Sequence, residues 1–368
     1  MHGDAQKWRR HLSDVIAHYS AAGASVLPVI KGNGYGFGRE VLARETQRLN
    51  LPAIAVGTVF ELDQALAQFP GTCVVLEPYL PDDGVAAAEW RRLLAHHADR
   101  IVATVAGAHL QQVHAAGAER VRLEGVTSMQ RFGMSASDID SLLRHTRLAR
   151  LIEALTLHLP TTMPRIERTA TLESSVRSQP ATEWGAEVAA WVSSWRALAM
   201  DHELPLKVSV SHLPHDDLHA GFGDMAVEAR VGTSFWLGAP ESMRVTGTVL
   251  SVTPAVTGRV GYTQVATVRG RQVVVVSGGT SHGVAMAAPT APTSMRRKAI
   301  SVAEGLGEAL GRVDSPFRHR GRPLRFVEPP HMQVSMLWTT APDIAVGDEL
   351  ECRVRHTTAQ FDRVTGLD

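Results

Sequence analysis

A chain of 368 residues is long enough for two domains. Its 37 Lys and Arg balance 37 Asp and Glu, so no net field singles out nucleic acid or an anionic membrane as a partner. Hydrophobic residues make up 44% of the chain, its two cysteines (Cys73 and Cys352) lie far apart, and no apolar run approaches the ~20 residues of a membrane span. With no signal-like apolar core in MHGDAQKWRRHLSDV, the expectation is a soluble cytoplasmic protein without a disulfide framework.

Trp8, Leu12, Val15, Ile16 and Tyr19 recur at helical spacing and predict a leading amphipathic helix over Ala5–Ser20. Val26–Ile30, apolar apart from Pro28, reads as a buried strand. It runs into a loop with Gly32, Gly34, Gly36 and Gly38, where the backbone can turn sharply. Strands are then expected at Ala53–Gly57, Cys73–Leu76, Ile101–Val105, Arg120–Glu124, Leu151–Leu159, Leu206–Ser211 and Ala226–Arg230. Between them, helices are expected at Arg39–Asn50, Val59–Phe69, Gly84–His97, Ala108–Ala116, Ser137–Leu148 and Glu183–Met200. About eight alternations in roughly 235 residues match a parallel (β/α)8 TIM-like barrel better than an open doubly wound sheet. No G-x-G-x-x-G fingerprint follows the first strand.

The pattern changes after Pro240. Val245–Val252, Gly261–Val268, Gln272–Val276, Val327–Trp338 and Gly347–His356 read as strands, and Ala287–Arg297 as a loop. The chain thus divides into a barrel over 1–240, with its leading helix, and a mostly-β C-terminal domain over 241–368.

In a barrel, chemistry belongs at the C-terminal strand ends, where Lys31, Glu124, His158, Ser211 and Arg230 fall. A lysine among apolar neighbours has a reason to lose its proton and attack an aldehyde. The same pattern also fits a lysine snorkelling to solvent, and a lone histidine between Leu157 and Leu159 also fits a satisfied core residue.

Lys31, Asn33, Tyr35, Gly36 and Gly38 resemble the Lys-x-Asn-x-Tyr-Gly-x-Gly loop of the alanine racemase family of pyridoxal-phosphate enzymes. Glycine at 32 and 34 replaces the usual alanine, and Phe37 the usual histidine. The resemblance implies that Lys31 holds pyridoxal 5'-phosphate covalently and that Tyr35 reaches its phosphate. Further matches follow in the family's order. Arg131, in QRFGM, stands where an arginine meets the cofactor and the substrate carboxylate, and Glu124 replaces a lysine that is carbamylated in many members. A glutamate supplies the same negative charge, so no carbamylation is expected. His158 is expected against the pyridine ring, with Ser211 at the phosphate and His212 the second candidate there. In Arg230-Val231-Gly232-Thr233, Arg230 would face the pyridine nitrogen, and the Gly232 and Thr233 amides would hold the phosphate.

In the C-terminal domain, Tyr262 matches the family's second catalytic residue, which comes from the other subunit and so implies a head-to-tail homodimer. Met332 would help Arg131 seat the substrate carboxylate, with Gln333 replacing an aspartate. His356 stands where a phosphate-contacting tyrosine is usual, and Gly279 where a tyrosine narrows the channel. The implied function is racemisation of alanine or a related small amino acid by two-base α-proton exchange between Lys31 and Tyr262. The alternatives are a D-amino-acid aldolase or dehydratase of the same barrel class, recruiting Cys352 and His356 to a metal, and a non-catalytic pyridoxal-phosphate-binding protein.

Overall fold

A computed structural model describes residues 1–161, 182–218, 222–254, 258–267, 271–286 and 313–367. The chain forms two compact units. One holds Arg9–Gly34 and Gly38–Gly238; the other holds Met1–Trp8, Tyr35–Phe37 and Ala239–Asp368.

The first unit is the expected parallel β/α barrel. Its strands are β1 (Ala24–Pro28), β2 (Ala53–Val56), β3 (Thr72–Pro78), β4 (Ile101–Val105), β5 (Val121–Gly125), β6 (Ile152–His158), β7 (Lys207–Ser211) and β8 (Ala226–Val231). They pair in the order β1-β8-β7-β6-β5-β4-β3-β2. A parallel bridge from Val29 to Ala55 then brings the first strand to the second and closes the ring. Leu27, Val29, Ala55, Val74 and Val102 pack into one apolar cluster at this seam. Helices separate the strands, and local chemistry fixes where they start. Asp83 accepts the amides of Val85 and Ala86 at the head of Gly84–His97, and Ser135 and Asp138 form a capping box at the head of Ala136–Arg144.

Side chains two apart share a face of a strand. Register then puts Glu124, Thr156, Ser209 and Glu228 side by side across four strands. One step on, His158, Ser211 and Arg230 form a second row. The lower row holds a buried ion pair: Arg122 donates to both carboxylate oxygens of Glu228 (2.5 and 3.2 Å), Ser209 donates to the same group at 2.7 Å, and Lys207 lies 3.0 Å away.

The second unit contains a closed antiparallel barrel. Its strands are β9 (Thr246–Pro254), β10 (Gln272–Ser277), β11 (Asp314–His319), β12 (Arg322–Phe326), β13 (Val334–Thr339) and β14 (Glu349–Cys352), in the cyclic order β9-β10-β13-β12-β11-β14. Val249, Val274, Val276, Phe317, Leu337 and Leu350 fill it.

Three expected strands are shorter than the pattern implies. Of Gly347–His356 only Glu349–Cys352 is extended. Over Gly261–Val268 only Val265–Ala266 is extended, pairing with Arg259–Val260, and Val268 lies outside the described residues. A turn intervenes because Gly261 has φ 78 and the Glu328 carboxylate captures the amides of Tyr262 and Thr263, which a ladder would have used. Val327–Trp338 becomes strand only from Val334, since Pro329-Pro330 denies the ladder two donors. The expected loop Ala287–Arg297 lies outside the described residues. Among the described residues no helix is long and apolar enough to cross a membrane.

Candidate active site

Lys31 lies three residues beyond the end of β1, after Val29 and Ile30. Ile30 donates to Ala55 at 2.8 Å, so the lysine leaves the barrel wall at the seam that closes it. The next turn is built from glycine. Gly34 has φ 60, and a Cβ there would stand 2.6 Å from the backbone nitrogen of Arg39. On the other side, Gly57 comes so near that its Cβ would lie 3.1 Å from the Cβ of Lys31. Glu61 fixes both edges of this slot: its carboxylate accepts the amides of Gly32 (2.9 Å) and Gly57 (2.7 Å). Arg39 ties the turn from outside, donating to the carbonyl of Gly32 and to Gln64.

The surroundings of Lys31 favour its neutral amine over the ammonium. The residue is solvent-accessible, yet desolvation of its amine, then the charges of Arg131 and Arg230, lower its pKa, with Glu61 opposing them. His158 is pushed down to about 3, first by burial and then by Arg230 and Arg131, so it is a neutral imidazole. His212 is lowered by burial, Lys31, Arg230 and Arg131. Burial raises Glu124, while Arg230 and, more weakly, Arg131 pull it back.

Several expected residues therefore meet in one place. The Ser211 hydroxyl lies 2.8 Å from Nδ1 of His158, and the His212 ring stands edge-on to His158 at 5.5 Å. Arg230, buried, donates from Nη2 to the Leu157 carbonyl at 2.6 Å. Burial brings its pKa down to about 10, and it remains a cation at neutral pH. Among the described residues its buried Nε has no hydrogen-bond partner, a donor left for an acceptor. Gly232 caps the four-residue helix Thr233–Trp236, and Thr233 is exposed. Arg131 is exposed beside Phe132, whose ring its guanidinium covers at 5.1 Å. The expected charge-assisted pair between Glu124 and Arg131 is not formed; Glu124 feels Arg230 more strongly, and neither arginine is salt-bridged to it among the described residues.

Pyridoxal phosphate fits this donor set. The amine of Lys31 would take the aldehyde, the orphaned Nε of Arg230 matches an acceptor such as the ring nitrogen, and the positive charges of Arg131 and Arg230 favour an anionic ligand.

The remaining expected residues belong to the other unit. Tyr35 is buried with φ 54, and its backbone interacts with His356, which burial lowers in pKa. The ring of His356 lies 6.5 Å from Phe37 and 5.6 Å from Phe361. Tyr262 is 84% exposed, and Met332 is also exposed. The ring of Tyr262 lies 4.5 Å from that of His331, whose Nε2 is 2.7 Å from Glu328. Cys352 is buried in the core, and burial, then Glu351, push its thiol up to about 12. Among the described residues no three His, Cys, Asp or Glu side chains gather as a metal site.

Gly279 changes meaning here. A Cβ on it would stand 2.0 Å from the His331 carbonyl oxygen, so the segment after it lies flat against residues 331–332, with Thr280 donating to His331 and Ser281 to Met332. The missing tyrosine is thus backbone contact rather than open space. Sequence reasoning also missed Glu61, Glu328 and His331. The two glutamates act on backbone amides, which leaves no mark in residue pattern.

Residues 4–182 match the family described as Alanine racemase, N-terminal domain. No curated protein matches the chain. Among solved structures, the chain is similar to the biosynthetic alanine racemase of Pseudomonas aeruginosa, with 17% identity and a TM-score of 0.60 over 96% of this chain and 90% of that one. It is similar to the alanine racemase of E. faecalis, with 18% identity and a TM-score of 0.62 over 95% and 87%. The alanine racemase of Bartonella henselae, solved with covalently bound pyridoxal phosphate, gives 15% identity and a TM-score of 0.61 over 96% and 90%. At these identities the likeness establishes a shared fold.

Proposed function

We propose, on the footing that residues 4–182 match the N-terminal domain of the alanine racemase family, that the chain is a pyridoxal-phosphate-dependent amino-acid racemase acting on alanine or a related small amino acid. The observation that carries this reading is the lysine just beyond the first barrel strand, its pKa lowered by desolvation, Arg131 and Arg230. A bound pyridoxal phosphate would supply the electron-withdrawing ring that acidifies the substrate α-carbon.

The chain's own residues do the rest. Arg230 would donate to the ring nitrogen without surrendering its proton. Charge developed at the α-carbon is then weakly delocalised, which suits prompt return of a proton. His158, uncharged and held by Ser211, would lie against the ring. Gly232, Thr233, Ser211, Tyr35 and His356 are the candidates for the phosphate, and Arg131 with Met332 for the substrate carboxylate. Lys31 Nζ would exchange the α-proton on one face, and the phenolic oxygen of the partner's Tyr262 on the other. A head-to-tail homodimer follows from that division, and the exposure of Tyr262 supports it.

The test is exchange of the α-hydrogen of each L-amino acid in heavy water, followed by chiral analysis. Deuterium appearing in both enantiomers supports the reading. Exchange with full retention points to a single base, and absence of exchange in cofactor-loaded protein to a binding protein.

A further inference from the structure

The family resemblance assigns Tyr262 a role but gives none to the residues beneath it. One buried carboxylate, Glu328, organises that corner. It accepts the amides of Tyr262 (3.0 Å) and Thr263 (2.8 Å) and the Thr263 hydroxyl (2.8 Å). It also meets Nε2 of His331 at 2.7 Å. The ring of Tyr262 then rests on the His331 ring, centroids 4.5 Å apart and planes 32° from parallel. The loop is fitted to this carboxylate: Gly261 has φ 78, and a Cβ on it would stand 2.4 Å from Glu328 Oε1. His331 is pinned from the far side, since its carbonyl accepts the Thr280 amide at 2.8 Å.

We propose that Glu328 and His331 are positioning residues for the phenol of Tyr262, one carboxylate fixing both the backbone of the tyrosine and the imidazole on which its ring lies. The inference rests on Tyr262 being the second proton-exchanging group. A phenol that is 84% exposed would otherwise sample several rotamers. Proton exchange needs the oxygen within hydrogen-bond reach of one carbon, and an error of 1 Å can cost about 100-fold in rate. The support is electrostatically durable. Burial would raise the Glu328 carboxyl, but Thr263, His331 and the Tyr262 amide hold it down at about 2, so it stays an anion at any working pH.

The experiment compares H331A, H331F and E328Q with Y262F in the cofactor-loaded enzyme. The enantiomer whose α-hydrogen exchange is lost in Y262F defines the side that Tyr262 serves. H331A is expected to slow exchange of that enantiomer on the order of 10- to 100-fold and to leave the other within about threefold. H331F, which keeps a ring under the phenol, recovers part of the loss, and E328Q resembles H331A. Equal loss in both enantiomers, or none in either, overturns the proposal.

A second readout needs no activity. With 3-fluorotyrosine incorporated, the fluorine resonance of Tyr262, assigned by its disappearance in Y262F, should narrow and shift in H331A as the ring is freed. If the wild type exchanges neither enantiomer, the racemase reading fails and this signal still decides the positioning. An unchanged resonance in H331A refutes it.

Discussion

Ser211 and His158 sit opposite each other on adjacent barrel strands, hydroxyl to Nδ1 at 2.8 Å, with Arg230 next in the same register row. Burial, Arg230 and Arg131 keep that histidine uncharged down to about 3. The contact therefore joins a hydroxyl and a neutral ring, and it spends part of the hydrogen-bonding capacity of Ser211 on orientation. By NMR, the His158 imidazole should show no protonation from mildly acid to alkaline pH; a midpoint near the ordinary ~6.5 would refute this. S211A should weaken pyridoxal-phosphate binding about tenfold, read by equilibrium titration.

Lys31 is the second case where charge sets behaviour. Its amine is depressed by desolvation, then by Arg131 and Arg230, and Glu61 opposes them. Substituting Arg131 by Met should raise the pKa of the lysine, and E61Q should lower it further. The pH dependence of labelling by an amine-reactive probe, in cofactor-free protein, checks both directions. The same shift in both variants would show that the charges are not felt at Nζ.

Much of this architecture was legible in the sequence, for physical reasons. Strand ends near Lys31, His158, Ser211 and Arg230 follow from apolar runs of fixed period, and the glycine loop marks itself because few other residues accept positive φ. The strand expected over Gly261–Val268 shows where legibility stops. Its alternation is real, but Gly261 turns the chain and Glu328, more than sixty residues on, captures two amides. A carboxylate bonding to distant backbone has no local signature. The same holds for Glu61, and for Gly279, whose meaning depends on a carbonyl oxygen 2.0 Å from where its Cβ would be.

That last contact yields a stability prediction. G279A should not open or narrow a channel but push residues 331–332 aside, destabilising the chain by about 1–3 kcal/mol. The denaturation midpoint measures this, and a midpoint equal to wild type would mean that the two backbones are not in contact. A tyrosine at 279 should be worse than alanine.

Glu228 should govern the acid limb of stability. Burial would raise its carboxyl, but Arg122, Lys207 and Ser209 bring it down to about 2, below the ~4.3 of an unfolded chain. A depressed carboxyl stabilises the fold above the unfolded value and loses that contribution as pH falls toward the folded one. Wild-type stability should therefore drop as pH falls from about 4 to 2, and E228Q should flatten that drop. At neutral pH the same variant strands the Arg122 guanidinium, at a cost of about 3–5 kcal/mol. Replacing both partners, R122M with E228L, should recover much of it. Denaturant midpoints across pH decide the matter: an E228Q curve parallel to wild type would remove Glu228 from the acid transition.

The division of labour between subunits has its own test. A K31A chain keeps its Tyr262 and a Y262F chain keeps its Lys31, and each homodimer should be inactive. In a mixed dimer one site joins the intact lysine of one chain to the intact tyrosine of the other. Unfolded together and refolded at equal amounts, the two variants should recover about a quarter of wild-type racemisation, since half the dimers are mixed and each holds one complete site. No recovery despite mixed dimers, shown by mass spectrometry, would place both groups on one chain. Appreciable racemisation by either variant alone would remove that residue from the two-base scheme.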